Sequence, residues 1–233
     1  MKDKALEKQK KFKLNTGTFY GWPMGLWFMI FFIVPLVIIL VYSFLKKGVY
    51  GGVELKLTLK AYIQMFKPEY GLILLRTLKI TVISTLITIL IALPCAYAMA
   101  RSKHQTLFLF LIIIPFWTNS LIRIFAWMSI LNNDGMLNQI LLKLGIIKEY
   151  LPFLYNTKAV ILVSVYMYIP YAILPIFTAV DRFDFSLLEA ARDLTATKMQ
   201  AITKVLLPGI RSGIVSALIF TFIPIFGAYT VPL

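Results

Sequence analysis

Residues Ser186–Pro208 read SLLEAARDLTATKMQAITKVLLP. This long segment mixes charged and apolar residues at helical spacing, in a chain otherwise built of apolar runs. Leu188, Ala191, Thr195, Met199, Ile202 and Leu206 fall on one stripe at steps of three and four, while Arg192, Asp193, Gln200, Thr203 and Lys204 lie off it. Ser186 with Glu189 three residues later predicts a capping box at the helix start, and Thr197 with Gln200 a second, weaker one. Pro208-Gly209 predicts the end, because proline cannot continue the backbone ladder and glycine suits an exit turn. The segment therefore reads as a soluble-type amphipathic helix, broken near Thr195, between two membrane-grade apolar runs.

Working outward, the chain predicts five membrane spans. The first runs from about Trp22 to Leu45 and tolerates Pro35, since neighbours in a membrane can satisfy a freed carbonyl. Lys46–Gly71 is a polar connector with an amphipathic piece near Leu59–Phe66. The second span runs from Leu72 or Leu78 to Ala100, and Arg101–His104 is a tight basic turn. The third runs from Leu107 to Ile130 with Pro115 inside it. Asn132–Lys158 is a loop with a turn at Asn132–Gly135 and a short helix at Met136–Leu144. The fourth span, Ala159 to Val180, holds Pro170 and Pro175 and is expected to bend. A fifth apolar run begins at Ile214 and is interrupted by Pro224 and Gly227. The fold class is all-α, a polytopic transmembrane helix bundle. Residues 1–19 form a basic tail with six lysines, and residues 20–233 form the transmembrane domain with its loop at 181–213.

Charge sets the expected orientation. Lys and Arg number 13 in the tail, 101–106 and 181–213, against ten in 46–79 and 131–158. The tail and the short basic turn carry the assignment of the N-terminus to the cytoplasm, because long loops count for little. The chain is 60% hydrophobic with a mean hydropathy of +0.82, which marks a membrane protein. Its net charge of +14 sits at the ends of apolar runs, so it reads as membrane flanks and not as a nucleic-acid surface. One cysteine (Cys95) and one histidine (His104) allow no intrachain disulfide and suggest no metal site; Cys95 reads as a small core residue. No phosphate-cradling glycine-lysine loop and no Ser/His/Asp set marks the chain as an enzyme, and no cofactor is expected.

The Ser186 segment resembles the cytoplasmic loop of the membrane subunits of bacterial ABC importers, EAA-x3-GA-x5-F-x2-I-x-LP. Glu189-Ala190-Ala191, Ala196 and Leu207-Pro208 match, Val205 stands for isoleucine and Ile202 for phenylalanine, and Thr195 stands where the family has glycine. Glycine permits the bend between two short helices, so Thr195 puts its sharpness in question. PFWTNSLIRIFAW (Pro115–Trp127) and EAARDLTATKMQ (Glu189–Gln200) are similar to permeases of spermidine/putrescine ABC importers. The resemblance implies a bacterial inner-membrane permease that imports polyamines. Its implied partners are cytoplasmic ATPase subunits, a second homologous permease, an external binding protein and the lipid bilayer. It implies that Glu189, Ala190, Ala191, Asp193, Thr195, Ala196, Leu207 and Pro208 couple to the ATPase, and that ATP hydrolysis belongs to that other subunit. A sixth span is expected in a complete family member, so the C-terminus is read as truncated.

Phe116, Trp117, Asn119, Ser120, Arg123, Tyr166, Tyr168 and Tyr171 are the candidates for a membrane path. Desolvating a cation needs replacement contacts, and the spans hold no Asp or Glu, which leaves aromatic faces. A charge at membrane depth such as Arg123 is a functional candidate by default; it can also snorkel to headgroups, and it would repel a cationic substrate, which favours a gate or structural role. The alternatives are an importer of another small solute (sulfate, thiamine or ferric iron), a stand-alone channel or secondary carrier, and a membrane scaffold.

Overall fold

The computed structural model describes residues 21–48 and 51–228; the basic tail 1–19 and residues 229–233 lie outside them. The described chain is helical but for one short hairpin. Its described residues divide into two compact units, one ending at Leu72 and the other beginning at Ile73. In the first, helix α1 (Gly21–Ser43) is long and apolar enough to cross a membrane, with no buried residue along its length. Strands β1 (Leu45–Lys47) and β2 (Val53–Leu57) form an antiparallel pair that the sequence reading did not foresee. Gly51 and Gly52, at φ +98° and +70°, make its turn. Helix α2 (Lys60–Met65) follows as expected and is tied to the end of α1 by the Ser43 Oγ to Tyr62 hydroxyl bond at 2.7 Å.

The next helix, α3 (Pro68–Ala100), is a 33-residue span and carries the chain into the second unit. Next come α4 (Gln105–Ile113, prolonged by a 3-10 turn at Ile114–Trp117), α5 (Ser120–Leu131), α6 (Met136–Lys143), α7 (Thr157–Asp181), α8 (Ser186–Asp193), α9 (Lys198–Gly209) and α10 (Arg211–Phe226). Three helices are each long and apolar enough to cross a membrane alone, and two bent pairs, residues 105–117 with 120–143 and α9 with α10, bring the count to as many as five. The core of the second unit is a cluster in which Ala92 and Ala96 of α3, Ala172 and Ile176 of α7, Leu188 of α8, Ala201 and Leu206 of α9 and Ala217 of α10 are buried together. Helix α10 buries Gly213, Ala217, Thr221 and Ile225, one residue every fourth, which is one helix face. A Cβ on Gly213 would stand 2.8 Å from the Pro175 carbonyl oxygen, so the backbones approach closely enough to need a small residue.

Several expectations are corrected. The third span is not one helix: it breaks at Thr118-Asn119 and turns by 87°. The cause is local. Pro115 opens a 3-10 turn, Thr118 becomes extended at ψ 149°, and the Asn119 side chain caps a fresh helix by accepting from the Leu121 N–H at 2.8 Å. The fourth span, where a bend was expected, runs unbroken as one helix with both Pro170 and Pro175 inside it, which leaves that expectation standing. Cys95 is exposed, because an apolar run does not tell a bundle-facing position from a lipid-facing one. Proline leaves a different mark in α1 and α9. In each, a π turn (Met29–Ile33 and Ile202–Leu206) stands just before Pro35 or Pro208, with the Val34 N–H bonded to the Met29 carbonyl and the Leu207 N–H to the Ile202 carbonyl. Widening the turn accommodates the ring that would strike the carbonyl four residues back.

Candidate coupling surface and membrane path

The Ser186–Pro208 segment forms two helices at the end of the bundle that also carries the Arg101–His104 turn. Gln105 Nε2 donates to the Ala100 carbonyl at 2.7 Å and to Asp181 Oδ1 at 3.2 Å, tying that turn to the end of α7. The Arg101 guanidinium lies 5.2 Å from the Phe185 ring centre, and Tyr97 and Phe183 meet the same ring edge-on. The start of α8 is thereby held against α3.

The predicted capping box at Ser186 does not form: α8 has Phe185 at its N-cap and no side-chain cap. Asp184 acts instead, accepting from the Ser186 N–H at 3.0 Å, and the Ser186 hydrogen bonds hold its carboxyl below the usual carboxylate range. The box at Thr197 and Gln200 is the one that closes. The Gln200 N–H donates to Thr197 Oγ1 at 3.3 Å, and the Thr197 N–H donates to Gln200 Oε1 at 2.9 Å.

Between the helices, Thr195 takes φ +68°. The Ala196 N–H donates to the Ala191 carbonyl at 3.1 Å and the Thr195 N–H to the Arg192 carbonyl at 3.0 Å. These two bonds are a Schellman motif, the usual helix stop, built here with threonine in the left-handed position that glycine normally takes. The turn forms despite the substitution.

The break also shifts the phase of the apolar stripe. Leu188 is buried and Ala191 half-buried against the core, but Thr195 and Met199 are exposed, contrary to the single stripe expected. A second apolar face points outward: Leu187 (50% exposed), Ala190 and Leu194 (81% exposed) stand at steps of three and four, with Met199 (69% exposed) beyond the turn. Sequence reasoning missed this face because it lies one residue out of phase with the inner one. Glu189, Asp193 and Pro208 are exposed around it, and Ala196 and Leu207 are half-buried.

The membrane-path candidates divide into two groups. Trp117 (80% exposed), Asn119, Ser120 and Tyr171 are exposed around the break and on α7. Asn119 is already engaged as the cap of α5. Phe116, Arg123, Tyr166 and Tyr168 are partly buried. The Arg123 guanidinium lies 4.5 Å from the Phe116 ring centre, so that aromatic face is taken by a cation of this chain itself. Tyr166 packs on both Phe116 and Trp127, at 5.8 and 5.4 Å. Tyr168 stands 5.8 Å from Tyr171, and its hydroxyl donates to the Pro224 carbonyl at 3.4 Å, joining α7 to α10. Two nitrogens of the partly buried Arg123, Nε and Nη1, are buried and find no hydrogen-bond partner among the described residues.

Two further polar features were not read from the sequence. Asn138 is fully buried and laces the loop together, its Nδ2 donating to the Asn133 and Leu151 carbonyls at 3.0 and 2.9 Å and its Oδ1 accepting from the Leu151 N–H at 3.1 Å. Thr81, Ser84, Thr85 and Thr88 are buried along one face of α3. Their helical spacing was visible, but in an apolar run it does not reveal which face is covered. Among the described residues, no group of three or more His, Cys, Asp or Glu is arranged to hold a metal ion.

Comparison with known proteins agrees with the architecture. Residues 81–233 match the family described as binding-protein-dependent transport system inner membrane component. The spermidine/putrescine transport system permease protein PotB of Escherichia coli K12 is 35% identical over 207 residues, 88% of this chain and 75% of that protein. PotB of Haemophilus influenzae is 35% identical over the same share of this chain and 72% of its own length. The inner membrane ABC transporter permease protein YdcU of Escherichia coli K12 is 33% identical over 76% of this chain and 61% of its own. The match spans the broken third span, the α7–α10 pair and both helices of the Ser186–Pro208 segment. This chain therefore belongs to the binding-protein-dependent inner membrane components, the multi-pass permease subunits of ABC importers.

Proposed function

We propose that this permease imports polyamines, spermidine and putrescine, driven by ATP hydrolysis on separate cytoplasmic subunits. The observation that carries the reading is the outward apolar face of α8, formed by Leu187, Ala190 and Leu194 on the helix that bears the importer motif. An amphipathic helix with both sides apolar needs a second partner for the side its own chain leaves open, and a groove on another protein fits it. The ATPase subunit is that partner. Glu189, Asp193, Thr195, Ala196, Leu207 and Pro208 shape and frame the contact. Ala191 belongs to the inner side and acts by letting α8 lie close to the bundle.

The substrate reading rests on the similarity to permeases named for spermidine and putrescine. It also has a chemical basis in aromatic side chains, with no Asp or Glu at residues 70–133, 150–180 or 194–233 to bind amines at membrane depth. Trp117, Ser120 and Tyr171 stand open around the break and on α7 to line a path, with Tyr168 behind them. The tail, the 101–106 turn and the 181–213 segment face the cytoplasm. A second homologous permease completes the membrane portion, and an external binding protein delivers the substrate. Competition tests the substrate: putrescine should displace labelled spermidine uptake in vesicles carrying the assembled importer. Displacement by sulfate, thiamine or ferric iron, with no effect of putrescine, would move the substrate to that other class.

A further inference from the structure

We propose that Arg123 is one half of an ion pair between subunits, and that its carboxylate lies in a membrane span of the second permease. Three observations converge on this side chain. Arg123 lies in the first turn of α5, where the positive end of the helix dipole disfavours a cation. Its Nε and Nη1 are buried with no hydrogen-bond partner among the described residues, and the face of Phe116 at 4.5 Å gives a cation–π contact but no counter-charge. The sequence places no Asp or Glu between Glu69 and Asp134, between Glu149 and Asp181, or from Leu194 to Leu233. A guanidinium with two nitrogens buried and unpaired at such a position is compensated when an anion from elsewhere meets it.

The surroundings fit a protein partner. Trp117 before α5 and Leu121, Ile122 and Phe125 of α5 are exposed, so the element that carries Arg123 also presents an open apolar and aromatic surface. Arginine and tryptophan within such a patch are the residues that dominate protein interfaces. A second copy of this chain brings the same guanidinium and no acid within those stretches, so the partner is a different chain whose spans carry Asp or Glu. The proposal rests on the reading that a second, homologous permease is present, and does not depend on which solute is carried.

The test uses the complete complex and reads co-purification of the second permease, with ATP-driven uptake as a second readout. Arg123→Gln leaves the partner carboxylate buried and unpaired, so recovery of the second permease and uptake should each fall by about tenfold or more. Arg123→Lys keeps the charge and should retain most of both. Each Asp and Glu in the spans of the second permease is then changed to Asn or Gln alongside Arg123→Gln, and one such change should restore recovery, even if Arg123→Gln alone prevents accumulation of the complex. Parental behaviour of Arg123→Gln overturns the proposal. So does a loss that no single carboxylate change in the second permease repairs, since Arg123 then serves this chain alone. Absence of any second permease from the purified parental complex would instead overturn the assembly described under the proposed function.

Discussion

Replacing Thr195 by glycine tests the turn that joins the two helices of the importer motif. Thr195 sits at φ +68°, where its Cβ crowds the following carbonyl, and yet it closes both bonds of the helix stop. Holding a side chain in that region costs roughly 1–2 kcal/mol relative to glycine. Glycine also gains freedom in the unfolded chain, which returns about 0.4–1 kcal/mol of the benefit. The two backbone bonds are unchanged by the substitution, so Thr195→Gly should stabilise the chain by about 0.5–1 kcal/mol. For a protein of this size each kcal/mol moves the midpoint by roughly 2–4 °C, giving a rise of about 1–4 °C. The assay is thermal unfolding of the detergent-purified permease, read by loss of helical circular dichroism. Thr195→Ala is the control: it keeps the Cβ and should show no such rise. A midpoint that is unchanged or lower in Thr195→Gly, or one that rises equally in Thr195→Ala, would refute the left-handed turn.

Three other predictions follow from the same geometry. Ala190→Glu places a charge on the outward face of α8 and should abolish co-purification of the ATPase while the permease still reaches the membrane; normal ATPase recovery contradicts that face as the contact. Gly213→Val drives methyl groups toward the Pro175 carbonyl oxygen and Ala179, so it should destabilise the bundle by about 1–3 kcal/mol and lower the thermal midpoint; an unchanged midpoint contradicts the close approach of α7 and α10. Lys198→Cys, in a Cys95→Ala background, should resist a membrane-impermeant thiol reagent in intact cells, and rapid labelling from outside would invert the topology. Lys198 is exposed, and replacing it leaves the Thr197 capping box intact.

The spans were legible because each long apolar run has one explanation in a membrane, and the positions of α3, α7 and α10 follow from the runs and the polar turns between them. Direction within a span was not legible. Hydropathy sets which residues enter the bilayer, but not which of them face lipid, and Cys95 came out on the wrong side for that reason. The break at Thr118-Asn119 had a local signal, an Asn-Ser pair suited to a helix start directly after a proline turn, but polar residues in membrane helices also serve as interhelical glue. The helix break near Thr195 was legible from the motif and the second capping box. The outward face of α8 was not, because Leu187, Ala190 and Leu194 lie one residue out of phase with the inner stripe, and spacing alone does not say which of the two the bundle covers. The hairpin was hidden in a connector whose alternation at Val53, Leu55 and Leu57 is only a few residues long. Arg123 was recognised as costly, and the structure adds that two of its nitrogens, Nε and Nη1, are buried and unpaired among the described residues.

The most direct measurement is uptake of labelled spermidine by vesicles that contain this permease, its partner permease and the ATPase, supplied with the binding protein. Uptake should require ATP inside the compartment that faces α8, and should vanish in the Ala190→Glu variant although the permease remains in the membrane. Spermidine uptake that continues without ATP, or without the ATPase subunit, would show a self-contained channel or carrier and contradict the account.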